Sequence, residues 1–172
     1  AVSLKGMDAY SFETAYQMAV QIIIEAAAKS YFLLDSEKLT EHDKSAYRRI
    51  LDDSMNEGML ASSLKLLCGL LEKHYGTKVI LLIDEYDVPL ANAHANGYYA
   101  RMLSLIRSLL GQALKTNSSL KFAVLTGCLR ISKESIFTGL NNLKVLSVTD
   151  ERFDEYFGFT DQEVRSLLEY YE

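Results

Sequence analysis

The chain has 172 residues, 49% of them hydrophobic, and a formal net charge of −5. Its length matches one ordinary domain, and its apolar content suffices for a sizeable core. Mild acidity and scattered basic residues argue against a protein whose main task is to coat nucleic acid or an anionic membrane, because phosphate contacts need clustered Lys and Arg. The apolar runs are too short to span a bilayer, and no basic segment precedes them, so we expect a cytoplasmic protein without a membrane helix or a signal peptide.

The first part of the chain predicts one short strand followed by three helices. Residues 1–5 read as the strand, and residues 12–32 carry apolar side chains at the spacing of a long helix. A polar connection leads to a capping box at Thr40, which opens a helix through Tyr47. The third helix carries the apolar residues of segment 60–75.

The rest of the chain alternates strands with helices. The aliphatic run at residues 79–83 is typical of a strand buried on both faces in a parallel sheet. A helix over 98–115, strands at 122–126 and 144–148, and a helix that Thr160 opens with a capping box follow. This order predicts βα crossovers and an α/β fold, a three-layer sandwich with a mainly parallel sheet, as a single domain over residues 1–172.

The strongest motif is the pair of acids, Asp84 and Glu85, that directly follows the strand at 79–83. A buried parallel strand thus delivers two carboxylates at its carboxyl end, where open α/β sheets bind ligands. Because Mg²⁺ takes oxygen ligands and keeps several waters, Asp84 alone suffices to hold it. Glu85 would then orient or deprotonate an attacking water. This is the form of a Walker B motif, and the alternative is a strand that ends in solvated acids.

A second signal follows the strand at 122–126. In P-loop ATPases with an extra strand between the phosphate loop and Walker B, the next strand ends in a polar residue that positions the water, and Thr126 stands at that point. Arg130 would stabilise charge on the γ-phosphate. The alternative interpretation is a Thr that caps a strand and an Arg on the surface.

Other polar residues predict less chemistry. Asp87 would complete a three-acid cation site with the two acids before it, but capping of the turn before Pro89 is the favoured interpretation. The histidines lie far apart and predict no metal site. Cys68 and Cys128 read as reduced core thiols.

The phosphate-binding loop of such a site is missing from the sequence. No segment matches Gly-x-x-x-x-Gly-Lys-Ser/Thr, so there is no backbone cradle and no lysine for the β- and γ-phosphates. We therefore expect a chain truncated at its start, with no ATP or Mg²⁺ bound by itself and no appreciable ATPase activity.

Blocks at residues 82–90, 97–99, 125–137, 139–143 and 156–164 follow one another in an order that is typical of one family, and the likeness covers essentially the whole chain. Together they resemble the predicted AAA-ATPase-like family of prokaryotic P-loop proteins. The resemblance implies a P-loop NTPase sheet whose first strand is missing, with a slot between the strands at 122–126 and 144–148. It assigns Asp84 to Mg²⁺, Glu85 to catalysis and Thr126 to the sensor position, whereas Arg130 belongs to a family motif without an assigned role.

The resemblance also implies what the intact protein does. It would bind ATP and Mg²⁺, hydrolyse ATP, and couple hydrolysis to an effector, for which the family often carries a C-terminal nuclease-like domain. Two alternatives stay open: a non-hydrolytic interaction or regulatory module, and the ATPase part of a nucleic-acid-processing nuclease system. Nucleic acid is not indicated by this chain itself, and self-association is expected because the missing strand would expose apolar surface.

Overall fold

The computed structural model describes residues 1–128, 143–147, 150, 152 and 158–171. It divides into two compact units, residues 1–140 and residues 141–172, and each is described by itself. In the first unit the strands are β1 (Val2–Ser3), β2 (Val79–Asp84) and β3 (Leu120–Leu125). Its helices are α1 (Phe12–Ala28), α2 (Glu41–Ile50), α3 (Glu57–Tyr75), α4 (Val88–Ala95) and α5 (Tyr99–Lys115), with a 3₁₀ turn at Tyr31–Asp35.

The strands form a three-stranded parallel sheet in the order β1-β2-β3. Val2 pairs with Ile83, and Ile83 pairs with Leu125 on the other side, so β2 is the central strand. Helices α1 to α3 connect β1 to β2, and α4 and α5 connect β2 to β3, as parallel pairing requires. The prediction of an α/β fold with a parallel sheet is confirmed.

The two faces of this sheet differ in exposure. Leu81 and Ile83 are buried on the face that the helices cover. On the opposite face Ile80 and Leu82 of β2 are each 46% exposed, and Phe122 and Val124 of β3 are similarly exposed. The prediction of a strand buried on both faces therefore holds for one face of the described structure, and a third layer is not found among the described residues.

The core lies between the sheet and the helices. Helices α3 and α5 pack against each other along their length. Their apolar side chains recur at helical spacing, and that spacing places them on one buried face of each helix. Fully buried examples are Leu60 and Leu70 of α3 and Met102, Ile106 and Leu110 of α5.

Some predicted elements differ from the structure. Helix α1 ends at Ala28, whereas the prediction extended it to residue 32. The chain continues into the 3₁₀ turn at Tyr31–Asp35. Residues 144–147 form no strand, and residue 148 lies outside the described residues. In the second unit, helix α6 (Asp161–Tyr171) begins after the predicted capping box, in which the Glu163 carboxylate accepts hydrogen bonds from Thr160.

Across the part of the chain that the structure describes, none of the helices combines the length and the apolar character needed to cross a membrane.

The first turn of α2 carries a charge whose loss should weaken the fold. The Asp43 carboxylate accepts a hydrogen bond from the Thr40 amide at 3.1 Å and pairs with the Lys73 ammonium at 2.5 Å. The Lys73 ammonium, followed by Thr40, lowers the pKa of Asp43 to about 2.

Because the ordinary value is 3.8, this stabilisation is present above about pH 4 and is lost as the pH falls toward 2. Replacing Asp43 by Asn should lower the free energy of unfolding by about 1 to 2 kcal/mol at pH 7 and by nearly nothing at pH 2. Urea unfolding at both values measures this. Glu41→Gln is the control, since Glu41 pairs with Lys44 at the surface and should change stability by less than about 0.5 kcal/mol.

Candidate functional site

Polar side chains line up where the strands of the sheet end. Ser3 pairs with Asp84 in the β1–β2 register. The β2–β3 ladder continues past Leu125, since the Thr126 amide donates to the Ile83 carbonyl at 2.9 Å. Neighbouring residues of parallel strands share a face, so Ser3, Asp84 and Thr126 form one row at the carboxyl edge of the sheet. All three are exposed.

Within this row, two residues predicted from the sequence are in direct contact. The Thr126 hydroxyl donates a hydrogen bond to Asp84 Oδ1. The backbone supports the contact from both sides, because the Tyr86 amide donates to the Thr126 carbonyl at 3.2 Å and the Leu4 amide donates to the Asp84 carbonyl at 2.9 Å. The structure therefore brings Asp84 and Thr126 together, 42 residues apart in the chain.

Glu85 stands at the point where the chain leaves β2. Its φ of 53° lies in the left-handed region, where, among the described residues, it is the one residue other than glycine. A side chain in this region costs about 1 kcal/mol, and such strain clusters at functional sites. Its Oε2 is buried and has no hydrogen-bond partner among the described residues. Buried polar atoms are nearly always paired, so the arrangement is one that a ligand or water would complete.

Asp87 does not join the two acids in a cation site. Its side chain is 2% exposed, and its Oδ2 accepts a hydrogen bond from the Cys128 amide at 2.9 Å. Within the described residues, no three His, Cys, Asp or Glu side chains are grouped so that they could hold a metal ion. Asp87 occupies the N-cap position of α4, as the turn interpretation predicts, but its side chain makes no capping hydrogen bond.

Sequence reasoning missed Ser3 and misplaced Cys128. Ser3 enters the row through its register with Asp84, and the only signal for it was a polar residue in the first strand. Cys128 is exposed and is not a core thiol, whereas Cys68 is buried and burial raises the pKa of its thiol. Arg130 lies outside the described residues.

The residues present fit a magnesium ion and do not fit a triphosphate. Mg²⁺ is usually held by one or two carboxylates together with waters and substrate phosphates, and Asp84 presents one exposed carboxylate at a strand end. The chain contains no glycine-rich loop with a lysine that would bind the β- and γ-phosphates. One exposed carboxylate at this edge is thus available to a cation, whereas the chain supplies no cradle for the nucleotide.

Comparison with known proteins places the chain in a family. It is 36% identical over 94 residues to the "Uncharacterized protein in vnfD 5'region" of Azotobacter chroococcum mcd 1. That match covers 54% of this chain and 18% of the relative, so the chain corresponds to less than a fifth of its length. No solved structure matches. The family model described as "Predicted AAA-ATPase" matches residues 3–137, a segment that includes both site strands. The chain belongs to the AAA-ATPase-like family.

Proposed function

We propose that the chain forms the cation- and water-binding end of a P-loop ATPase site. In this proposal Asp84 holds Mg²⁺, Thr126 senses and positions the attacking water, and Glu85 orients or deprotonates that water. The observation that carries the proposal is the hydrogen bond from Thr126 to Asp84 across the ends of two adjacent parallel strands. Ligands of open α/β sheets bind at this edge.

The environment of Glu85 supports its role. A carboxylate that must accept a proton from water cannot have all of its oxygen atoms engaged by fixed donors, and Oε2 has none among the described residues. Successive side chains of a strand point to opposite faces of the sheet. Because the backbone of Glu85 is left-handed and not extended, its side chain does not have to follow this alternation. Both features favour a water-directing role over a second metal ligand.

The sheet also supports a P-loop arrangement. The strand with the phosphate loop would pair with the edge of β3 that lies away from β2, and the helix after it would cover the exposed face of the sheet. Four apolar side chains on that face suit such a covering layer: Ile80, Leu82, Phe122 and Val124. The coding sequence upstream of Ala1 tests this part of the proposal, since an in-frame Gly-Lys-Ser/Thr loop supports it and a different segment there contradicts it.

The cation site can be tested on the chain itself. Mn²⁺ prefers the same oxygen ligands as Mg²⁺ and is paramagnetic, so it broadens the NMR signals of nearby amides. Titration of the ¹⁵N-labelled chain should broaden the amides of Ser3, Asp84 and Thr126 first, at Mn²⁺ concentrations of about 1 mM, because one carboxylate binds weakly without phosphates. The amide of Tyr47 in α2 serves as the control. Broadening that begins at other surface acids would contradict the site.

The same preparation should show no appreciable Mg²⁺-dependent ATP hydrolysis, because the sequence has no phosphate loop. Turnover that requires Mg²⁺ and disappears in Glu85→Gln would show that the chain finds another way to hold the phosphates.

A further inference from the structure

The loop that follows β3 is held by two acids, Asp84 at the end of β2 and Asp87 at the start of α4. The Asp84 side chain accepts a hydrogen bond from the hydroxyl of Thr126, and the Asp87 side chain accepts one from the amide of Cys128 at 2.9 Å. Only Gly127 stands between Thr126 and Cys128 in the chain. Asp84 and Asp87 therefore hold a three-residue segment from both of its ends.

Gly127 fits closely against the second of these acids. A Cβ added at this residue would lie 2.6 Å from Asp87 Oδ1 and 2.9 Å from its Cγ, closer than side chains pack. The φ of Gly127 is not in the left-handed region, so its backbone does not itself require glycine. A side chain here is crowded first by the carboxylate of Asp87 and then by the ring of Tyr86, whose Cε1 would lie 3.0 Å from the added Cβ.

The Asp87 carboxylate does not cap the helix that this residue precedes. The backbone carbonyl of Asp87 begins α4, since the Leu90 and Ala91 amides donate to it at 3.1 and 3.0 Å, but its carboxylate makes no capping bond. Its carboxylate oxygen Oδ2 instead accepts the hydrogen bond from the amide of Cys128 in the loop after β3. A hydrogen bond from an amide to a charged oxygen is about twice as strong as one to a neutral oxygen.

We propose that Asp87 is a positioning residue, which fixes the segment Thr126–Cys128 so that the Thr126 hydroxyl stays on Asp84. The inference rests on the proposed function, in that Thr126 and Asp84 are the groups it positions. Asp87 itself touches neither the cation nor the water. Gly127 is needed for this contact, because the absence of a side chain lets the Asp87 carboxylate approach the backbone of the loop.

A double-mutant cycle tests the contact without any ATPase assay. Hydrogen exchange of the Cys128 amide should become about tenfold faster or more in Asp87→Ala, which removes the acceptor. Gly127→Ala should also speed exchange at Cys128, because its methyl group displaces the loop. In the double variant the methyl group meets no carboxylate and only the Tyr86 ring, so Gly127→Ala should speed exchange clearly less in the Asp87→Ala background than in the wild type.

Two further variants keep the test independent of folding. Asp87→Asn preserves the shape of the side chain, so it should fold as the wild type does while the Cys128 amide proton moves upfield, as expected for a neutral acceptor. Asp53→Asn removes one exposed charge elsewhere and should leave the Cys128 signal unchanged. Exchange in α5, at Ile106, reports global stability. The proposal is overturned if Cys128 exchange in Asp87→Ala stays within about twofold of the Asp53→Asn control, or if the two substitutions have additive effects.

The positioning role has its own readout. The Mn²⁺ concentration that half-broadens the Thr126 amide should be about threefold or more higher in Asp87→Ala than in Asp87→Asn, because both variants lose the same charge and only Asp87→Ala loses the acceptor that places Thr126. Equal concentrations in the two variants overturn the positioning role. If Mn²⁺ leaves Thr126 of the wild type unbroadened, the proposed cation site fails, and exchange at Cys128 still decides whether Asp87 holds the loop.

Discussion

Replacing Asp84 by Asn is expected to raise the Mn²⁺ concentration that half-broadens the Thr126 amide by about tenfold or more, because a divalent cation at a one-carboxylate site depends on that charge. The carboxamide oxygen still accepts the hydrogen bond from Thr126, so the unfolding midpoint should change little. The measurement is a Mn²⁺ titration followed at Ser3, Thr126 and, as a distant reference, Tyr47.

Glu85→Gln is the matched variant for Asp84→Asn. It also removes one negative charge, from the residue next to Asp84. In the proposal, however, Glu85 directs water and does not bind the cation. The Mn²⁺ concentration should therefore shift by no more than about threefold, which is the long-range effect of one nearby charge in water. Were the two variants to show equal losses, Glu85 would be a cation ligand, and the division of roles in the proposal would be wrong.

Raising the pH should unfold the chain in large part through Tyr47. This side chain is fully buried, and its hydroxyl donates to the Ala27 carbonyl at 2.6 Å. Burial, and to a smaller extent the neighbouring Tyr31, raises the pKa of Tyr47 to about 12 from its ordinary value of 10.0. The folded state thus favours the protonated phenol, and this stabilisation is complete below pH 10 and lost as the pH rises from 10 towards 12. The loss amounts to about 2 to 3 kcal/mol.

Tyr47→Phe isolates this contribution. At pH 7 the substitution should cost about 1 to 2 kcal/mol, since it leaves the Ala27 carbonyl without this donor. Because phenylalanine does not ionise, the difference from the wild type should shrink above pH 10 and reverse near pH 12. Urea unfolding from pH 7 upward measures it, with the exposed Tyr75→Phe as control. An unchanged difference across this range would show that Tyr47 ionises without unfolding the chain.

Much of the architecture follows from local patterns in the sequence. The caps at Thr40 and Thr160 mark helix starts that the structure contains, because each side chain accepts a hydrogen bond from an amide of the first turn. The proximity of Asp84 and Thr126 follows as well, since the ends of adjacent parallel strands must meet at one edge. The weaker pattern at residues 144–147, in which Val145 and Leu146 stand between Lys144 and Ser147, was predicted as part of a strand and forms none.

The details of the site could not be predicted in the same way. The left-handed backbone of Glu85 depends on how the chain turns from β2 into α4, and glutamate does not favour that conformation. The bond between Asp87 and Cys128 joins residues 41 positions apart. Local reasoning assigns Asp87 to its own turn, where its position is that of a cap, but packing directs its side chain to another loop. Contacts of this kind depend on the tertiary structure, which local propensity does not contain.

The left-handed backbone of Glu85 makes the stability of the chain and its proposed chemistry favour different residues at this position. Glycine or asparagine would occupy its left-handed conformation at lower cost, so a chain selected only for resistance to heat would drift away from glutamate there. Variants enriched by such a selection would then lose the carboxylate while they fold better. A thermostable form of this chain and a water-activating form of it would therefore carry different residues at position 85.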